Sequence, residues 1–290
     1  MTGQVGPAVA RQRLRVRLRA IREERGLAAD TVAREMYWSL SKLNRIETGA
    51  VTISPVEVRA LLEHYGIRDK KEVTALMSLA ATSRSRQWWS SHKLTREYQQ
   101  FVAYEAEASR ISMYHATLIP GLLQTEDYAK NSTAKVIHRS PDDADVLARI
   151  EIRMERQRNM QQRMQSPDAP EVIAALDEAV LRRPVGGPTV MRHQLDHLLE
   201  MGRMSAITLI VVPLSLAGHP GLGGTFELLE FAGSGDPDVL FVESAASDWL
   251  VQTPEVTAHY RETMKILEMD SLTGDAAVRA VHEIRDSLGT

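Results

Sequence analysis

The chain contains no cysteine among its 290 residues, and aromatic residues make up only 5% of it. The absence of cysteine excludes disulfide bonds, thiolate nucleophiles and zinc sites built on cysteine. No apolar run is long enough to cross a membrane, and the longest, residues 207–216, contains Pro213. The first dozen residues lack the apolar core of a signal peptide. These absences predict a cytoplasmic protein without a membrane partner.

The charge of the chain is divided unevenly along its length. The whole chain has 35 Lys and Arg against 38 Asp and Glu, whereas residues 1–89 hold 16 of the former and 9 of the latter. The first part therefore carries +7, and the remaining 19 basic and 29 acidic residues give the rest −10. A basic part attracts a phosphate backbone, while an acidic part is a poor nucleic-acid surface. The length and composition are those of a globular protein with two domains.

Residues 27–49, LAADTVAREMYWSLSKLNRIETG, have the pattern of two short amphipathic helices. The helices are predicted at residues 29–36 and 39–48, with a tight connection at Tyr37 and Trp38 and a stop at Gly49. The apolar residues that fall at helical spacings and bury one side of each helix are Leu27, Val32, Ala33, Met36, Leu43 and Ile46. This pattern predicts a helix-turn-helix.

The outer face of the second helix of this pair is polar and cationic. Such groups reach base edges and phosphates when a helix enters the major groove of DNA. The residues predicted to bind DNA are Ser39, Ser41, Lys42, Asn44 and Arg45, with Thr52 in the loop that follows and Arg17 on the helix before the motif. An ordinary helical hairpin with a solvated polar face is the alternative.

Further helices are predicted around this motif. Residues 11–25 form an arginine-rich helix before it, a fourth helix starts at Pro55 with Ser54 as its N-cap, and a fifth covers residues 69–81. Five short helices and the run IETG resemble the Xre or lambda-repressor-like DNA-binding domain over residues 11–82. Residues 1–10 are predicted to be a tail.

Two features depart from that family. Ala28 and Ala29 stand where the family commonly has a glutamine, and Tyr37 with Trp38 stands where it commonly has a glycine. The turn is therefore expected to keep a negative φ. A carboxylate facing DNA would repel phosphate, so Glu47 is interpreted as a partner of Arg19 or Arg22.

Residues 83–93 are predicted to link this domain to a second one at residues 94–290. Helices are predicted at residues 94–113, after a cap at Thr125, at residues 141–164 after a cap at Ser140, and at residues 189–204, 254–269 and 274–288. Strands are predicted at residues 207–213, 225–231 and 239–243, and residues 170–183 fit either a helix or a strand. The predicted fold is mainly α, with a five-helix domain followed by an α/β (α+β) effector domain that has a small mixed sheet.

Several separated motifs of the second half resemble one family in the same order. They are LIPGLLQTEDYA, RMERQ, LDEAVLRRPVGG, MRHQLDHLL, GTFELLEF and VLFVE. The chain resembles the actinobacterial Xre regulators of the Scr1 antitoxin-like family over about residues 95–286. The resemblance implies a transcriptional regulator that is usually encoded beside a small partner protein, which it binds.

No arrangement of residues in the second half favours catalysis. His193 and His197 have the i, i+4 spacing of a metal pair, but Gln194 stands where a catalytic glutamate would be and no third ligand is evident. The glycine-rich loop at residues 217–224 lacks the ending of a phosphate-binding loop. The sequence thus predicts no enzyme, no cofactor and no metal.

Polar residues within the family motifs are the candidates for a ligand site. Arginine side chains make forked contacts with carboxylate or phosphate. The candidate residues are Gln124, Arg153, Arg156, Gln157, Glu178, Arg182 and His219. The alternative is that they pair with one another, for instance Arg153 or Arg156 with Glu178.

Two functions remain open. One is a sequence-specific regulator that binds a double-stranded DNA operator and whose second domain senses a partner protein or a small molecule. It is expected to be a homodimer, because one recognition helix reads only a half-site. The other is an antitoxin-like interaction protein that sequesters a small partner and keeps the helix-turn-helix as a structural module.

Overall fold

The computed structural model describes residues 5–85, 87–91, 94–233, 236–243 and 248–288. The chain forms two compact units. The first consists of Met1–Ser91 with Gly233–Asp236, and the second of His92–Ala232 with Pro237–Thr290. In the described part of the chain, no helix combines the length and the apolar character that a bilayer crossing requires.

The first unit is built from five helices. They are α1 (Pro7–Glu24), α2 (Ala29–Glu35), α3 (Leu40–Glu47), α4 (Pro55–His64) and α5 (Lys70–Thr82). The side chains of Ser39, Ser54 and Asp69 accept the capping hydrogen bonds of α3, α4 and α5. The predicted five-helix domain is confirmed. The predicted tail is wrong at its end, because Pro7 opens α1 and the side chains of Val9 and Ala10 are buried.

The apolar faces of these helices meet in one core. Leu18 and Ile21 of α1 are fully buried there, together with Val32 of α2, Leu43 of α3 and Leu62 of α4. Short helices are only marginally stable alone, so this shared burial holds them in place. Burying a Leu or Ile side chain contributes about 1.5–3 kcal/mol relative to leaving it exposed.

The turn between α2 and α3 is strained. Tyr37 has a φ of 56°, so the expectation of a negative φ is wrong. The reason is the way α2 ends: the Trp38 N–H donates to the Ala33 carbonyl at 2.7 Å, and the Tyr37 N–H donates to the Arg34 carbonyl at 3.1 Å. This pair of bonds requires a left-handed residue at position 37, where glycine is usual.

The second unit contains a seven-stranded mixed sheet within its described residues. Its strands are β1 (Arg110–His115), β2 (Glu171–Asp177), β3 (Ile207–Val212), β4 (Phe226–Glu230), β5 (Val239–Val242), β6 (Trp249–Val251) and β7 (Leu272–Thr273). The strand order is β6-β5-β4-β1-β2-β3-β7. The central strands β1, β2 and β3 are parallel, with Ile111 opposite Val172 and Val172 opposite Ile207, while the outer pairs are antiparallel.

Helices accompany the sheet. They are α6 (Arg96–Glu105), α7 (Glu126–Val136), α8 (Ala144–Met164), α9 (Glu178–Arg182), α10 (Pro188–Met201), α11 (Pro254–Asp270) and α12 (Gly274–Ser287). Short 3-10 turns lie at Trp88–Ser91, Gly121–Leu123 and Pro220–Gly223. The predicted cap at Thr125 is confirmed, whereas α8 is capped by Asp143 and not by Ser140.

The single helix predicted at residues 94–113 is wrong in its second half. The helix α6 ends at Glu105, and β1 begins at Arg110. Both faces of β1 are buried, so its residues show no alternation that separates a strand from a buried helix. The ambiguous residues 170–183 hold both structures, with strand β2 leading directly into helix α9. The three predicted strands are confirmed, whereas β1, β6 and β7 are additional.

The strain at Tyr37 predicts the effect of a glycine there. The side chain is 97% exposed and loses little packing when it is removed. A left-handed conformation costs a non-glycine residue about 1–2 kcal/mol, and glycine loses about 0.5–1 kcal/mol more backbone entropy on folding. Tyr37→Gly should therefore raise the free energy of unfolding by about 0.5–1 kcal/mol, measured by urea denaturation.

Tyr37→Ala is the matched control for this change, because it removes the same ring but keeps the Cβ. It should leave the free energy of unfolding nearly unchanged. Equal effects of the two substitutions would show that the ring, and not the backbone conformation, sets the stability of the turn.

Candidate nucleic-acid interface

Helix α3 presents the face that the sequence predicts to bind DNA. The helix buries Leu43, Ile46 and Glu47. On its other side, Ser41, Asn44 and Arg45 are exposed. Two further predicted residues, Ser39 at the N-cap and Thr52 in the loop after the helix, are exposed as well. Eight helical residues extend about 12 Å, which fits within a major groove.

A buried ion pair fixes α3 against α1. The Arg22 Nε and Nη2 donate to the two Glu47 carboxylate oxygens at 2.6 and 2.8 Å, and the side chains are only 11% and 8% exposed. The Arg22 Nη1 also donates to the Leu27 carbonyl at 2.9 Å. The interpretation of Glu47 as a structural partner is confirmed for Arg22. The carboxylate consequently lies on the inner side of α3, away from the exposed polar face.

Arg45 is a cation of this face whose charge is not paired with a carboxylate of the described residues. Its side chain is exposed and makes no hydrogen bond or ion pair with any residue that the structure describes. The Asn44 side chain is equally unengaged among those residues. An unpaired guanidinium needs no exchange of partners before it binds a guanine edge or a phosphate.

Lys42 already has partners inside the protein. Its Nζ donates to Glu57 Oε1 at 2.7 Å and lies 4.1 Å from the centre of the Trp38 ring. The Glu57 carboxylate also accepts hydrogen bonds from the backbone N–H and the hydroxyl of Ser54. The hydrogen bond from Lys42, followed by those from Ser54, lowers the pKa of Glu57 to about 2. A phosphate would therefore compete with a carboxylate for Lys42.

Arg17 is paired in the same way. Its Nε and Nη2 donate to Glu72 Oε1 at 2.8 and 2.5 Å, and its Nη1 donates to Glu24 at 3.1 Å. The hydrogen bond with Glu72 raises the pKa of Arg17. The structure thus places Arg17 in a network of acidic side chains.

Leu40 is a candidate that the polar pattern does not indicate. Leu40 opens α3 and its side chain is 45% exposed, beside the exposed Ser39 and Ser41. An apolar side chain at the first position of a reading helix can contact a thymine methyl group. The sequence gives no signal for it, because Leu40 is three positions before the buried Leu43 and such residues share one side of a helix.

Four of the candidate ligand residues converge in the second unit. Arg153 Nη1 donates to Gln124 Oε1 at 2.8 Å, and Gln157 Nε2 donates to the Gln124 and Gly121 carbonyls at 2.9 and 2.7 Å. Arg156 Nη1 donates to the Tyr98 hydroxyl at 2.6 Å. The structure therefore brings Gln124, Arg153, Arg156 and Gln157 together at the turn Gly121–Leu123.

The carboxylate beside Arg156 is Glu105. Its Oε2 lies 2.7 Å from Arg156 Nε, and the two side chains are 1% and 6% exposed. Burial raises the pKa of Glu105; Arg156 opposes this rise and Glu227 adds to it. A carboxylate within an apolar helix face, one turn after the buried Phe101, is a signal for such a pair.

The other candidate ligand residues lie apart from this cluster. Glu178 accepts from Arg182 Nε at 2.6 Å and from the Leu214 N–H at 2.9 Å, so the predicted bridge from Arg153 or Arg156 to Glu178 is wrong. These bonds lower the pKa of Glu178 although burial opposes the shift. His219 Nε2 lies 3.9 Å from Asp177 Oδ2, and its ring meets the Tyr114 ring edge-on at 5.8 Å.

The histidine pair of α10 acquires no metal-site geometry. His193 is exposed, whereas His197 is half-buried and its Nε2 has no partner among the described residues. Burial lowers the pKa of His197. In the described ranges, no three His, Asp or Glu side chains are grouped so that they could hold a metal ion.

Two family models match the chain. A helix-turn-helix domain matches residues 13–76, and a domain of unknown function, DUF5753, matches residues 98–283. The comparisons with curated proteins and with solved structures gave no match. The helix-turn-helix match indicates a DNA-binding regulator, and the second match carries no assigned role.

The paired carboxylate of Glu57 predicts a pH-dependent contribution to stability. Its pKa falls from 4.5 to about 2 in the folded protein. The contribution is therefore complete above pH 4.5 and is lost as the pH falls toward 2. Since the side chain is 36% exposed, solvent screening reduces the effect to about 1 kcal/mol. Glu57→Gln should lower the free energy of unfolding by that amount at pH 7 and by progressively less between pH 4.5 and 3.

Glu63→Gln makes the same chemical change on the same helix, at a side chain that is 67% exposed. It should have little effect at any of these pH values. Urea denaturation measures the difference in the free energy of unfolding between Glu57→Gln and the wild type. A difference that stayed constant from pH 7 to pH 3 would contradict the lowered pKa of Glu57.

Proposed function

Since the chain belongs to the DUF5753 family and carries a helix-turn-helix domain ahead of that region, we propose that it is a sequence-specific DNA-binding transcriptional regulator. The observation that carries the proposal is the exposed face of α3, where Ser41, Asn44 and the unpaired Arg45 lie together. Helix α3 enters the major groove, and Asn44 and Arg45 read base edges, because amide and guanidinium groups form two hydrogen bonds with adenine and guanine respectively.

The remaining predicted residues position the domain on the backbone. Ser39, Ser41 and Thr52 supply hydroxyl groups to phosphates or base edges near α3. Lys42 and Arg17 contribute less to DNA affinity than their charge suggests. A phosphate must first displace Glu57 from Lys42, or Glu24 and Glu72 from Arg17. The charge of +7 on residues 1–89 adds a salt-dependent attraction for any duplex.

The regulator acts as a homodimer on an operator with two half-sites. One α3 of eight residues covers only a few base pairs, so affinity and selectivity require a second copy. The second domain, proposed at residues 94–290 after a linker at residues 83–93, senses a partner protein or a small ligand. The resemblance to the Scr1 antitoxin-like Xre regulators supports a small protein encoded beside this chain as one such partner.

The alternative is that the chain is an antitoxin-like interaction protein that sequesters a small partner protein. A gel shift with the DNA upstream of the protein's own gene discriminates the two functions, because pure sequestration predicts no specific shift.

Substitution of Arg45 tests the proposed reading face. Arg45→Ala should reduce the preference for operator over scrambled DNA by about 1–3 kcal/mol if the guanidinium makes a bidentate base contact. The affinity of the full-length protein for both duplexes is measured by titrated gel shift at several salt concentrations.

Arg17→Ala is the contrasting variant, since it removes the same charge from α1. It should weaken binding to both duplexes alike, by a smaller factor, and reduce the salt dependence. Unchanged operator preference in Arg45→Ala, or a loss of preference in Arg17→Ala, would contradict the assignment of the reading face.

A further inference from the structure

Two buried carboxylates of the second unit, Glu105 of α6 and Glu227 of β4, lie where a helix face packs on the sheet. Glu105 is one helical turn after Phe101, so the two side chains share one face of α6. The Phe101 ring stacks on Phe241 of β5 with 4.0 Å between the ring centres. Phe241 is the cross-strand partner of Glu227, and directly opposite residues lie on the same face of a sheet. The face of α6 that carries Glu105 therefore packs on the sheet face that carries Glu227.

Each of these carboxylates has one oxygen with a partner and one without. Glu105 Oε2 lies 2.7 Å from Arg156 Nε, and Glu227 Oε1 lies 3.2 Å from His115 Nε2. Glu105 Oε1 and Glu227 Oε2 are buried and have no hydrogen-bond partner among the described residues. The two residues are only 1% and 5% exposed, and unpaired polar groups at such depth are rare and costly. A proton on one of the carboxylates would supply a donor that the pair lacks.

The charged groups that face the pair do not balance two carboxylates. From α8, Arg156 contacts Glu105, whereas Arg163 donates to the Glu105 backbone carbonyl and attracts the carboxylate only from a distance. On α6 itself, the Tyr98 hydroxyl accepts a hydrogen bond from Arg156. From β1, His115 contacts the other carboxylate and can donate to it without carrying a charge. One guanidinium is thus in contact with a pair of two carboxylates.

A second guanidinium on α8 pairs with neither carboxylate. Arg153 donates to two neutral oxygens, Gln124 Oε1 at 2.8 Å and Thr133 Oγ1 at 3.1 Å. Glu243 attracts it from a distance. The repulsion between the two buried carboxylates is therefore only partly compensated by the arginines around them.

We propose that Glu105 and Glu227 together bind one proton in the folded protein, and that the loss of this proton as the pH rises weakens the second unit. The proton removes one of two like charges from the core and supplies the missing donor. Burial raises the pKa of Glu105; Arg156 opposes this rise and Glu227 adds to it. This proton site does not depend on the DNA-binding role of the first unit.

Proton binding gives the stability of the second unit a definite dependence on pH. The ordinary pKa of a glutamate is 4.5, and the pKa of Glu105 is raised above it in the folded protein. The contribution of the proton to stability is thus complete below pH 4.5 and is lost as the pH rises through the raised value. Within that window, the equilibrium constant for unfolding should rise by up to about tenfold per pH unit.

Infrared spectroscopy of the folded, full-length protein detects the proton directly, because a protonated carboxyl has a carbonyl band that a carboxylate lacks. At about pH 6, where exposed carboxyls are ionised, the wild type should show this band, and the band should disappear as the pH is raised to about 9. Glu105→Gln and Glu227→Gln should each abolish it, because either change leaves a single carboxylate beside its own partner. In urea denaturation, both variants should lose the dependence of stability on pH.

Two further variants serve as controls. His115→Gln should retain the band and the pH dependence, because an amide can still donate to Glu227. Glu97→Gln removes an exposed glutamate from the same helix and should behave like the wild type.

Absence of the band from the wild type at about pH 6 would overturn the proposal, as would a band that persists in both Glu105→Gln and Glu227→Gln. A pH dependence that His115→Gln abolishes and Glu105→Gln retains would also overturn it, because the proton would then belong to His115. The wild-type spectrum decides by itself if a variant folds poorly.

Discussion

The ion pair between Arg22 and Glu47 is the interaction on which the presentation of α3 depends. Both side chains are nearly buried, and the pair joins the end of α1 to the end of α3. Removal of one partner from a buried pair typically costs about 3–5 kcal/mol, because the other charge is left uncompensated. Together with the burial of Leu43 and Ile46, the pair fixes the rotation of α3 about its axis. That rotation directs Asn44 and Arg45 outward and keeps the Glu47 carboxylate off the face that we propose for DNA binding.

Several basic side chains of the first unit are paired with its own carboxylates, so its composition overstates the positive charge that is free to bind phosphate. Arg17, Arg22 and Lys42 each donate to a carboxylate of the same unit. Part of the positive charge therefore stabilises the five-helix core and is not free for phosphate. Arg45 has no such partner in the described part of the chain. A specific contact is expected from the cation that is exposed and unengaged, while the paired cations contribute through the longer-range field that all DNA experiences alike.

The second unit shows how one helix gives two arginines different electrostatic roles. Arg153 and Arg156 are one turn apart on α8, yet Arg156 lies beside Glu105 whereas Arg153 has only neutral acceptors. The first arrangement is a buried ion pair, and in the second neutral oxygens alone hold the guanidinium group. Gly121 lies against both groups, since a Cβ there would come within 3.5 Å of Arg153 Nε and 3.3 Å of Arg156 Nη2.

The sequence by itself determined the elements whose signals are local. The caps at Ser54 and Thr125, the apolar spacing of α2 and α3, and a partner for Glu47 among Arg19 and Arg22 were readable, because capping and helical periodicity involve residues only a few positions apart or on adjoining helices. Tertiary structure alone decided that residues 110–113 form a central strand and that Arg156 pairs with Glu105, 51 positions earlier in the chain. It also decided the left-handed turn at Tyr37. These features depend on which surfaces the folded chain brings together, and a strand buried on both faces or a charge paired across the core leaves no periodic trace in the sequence.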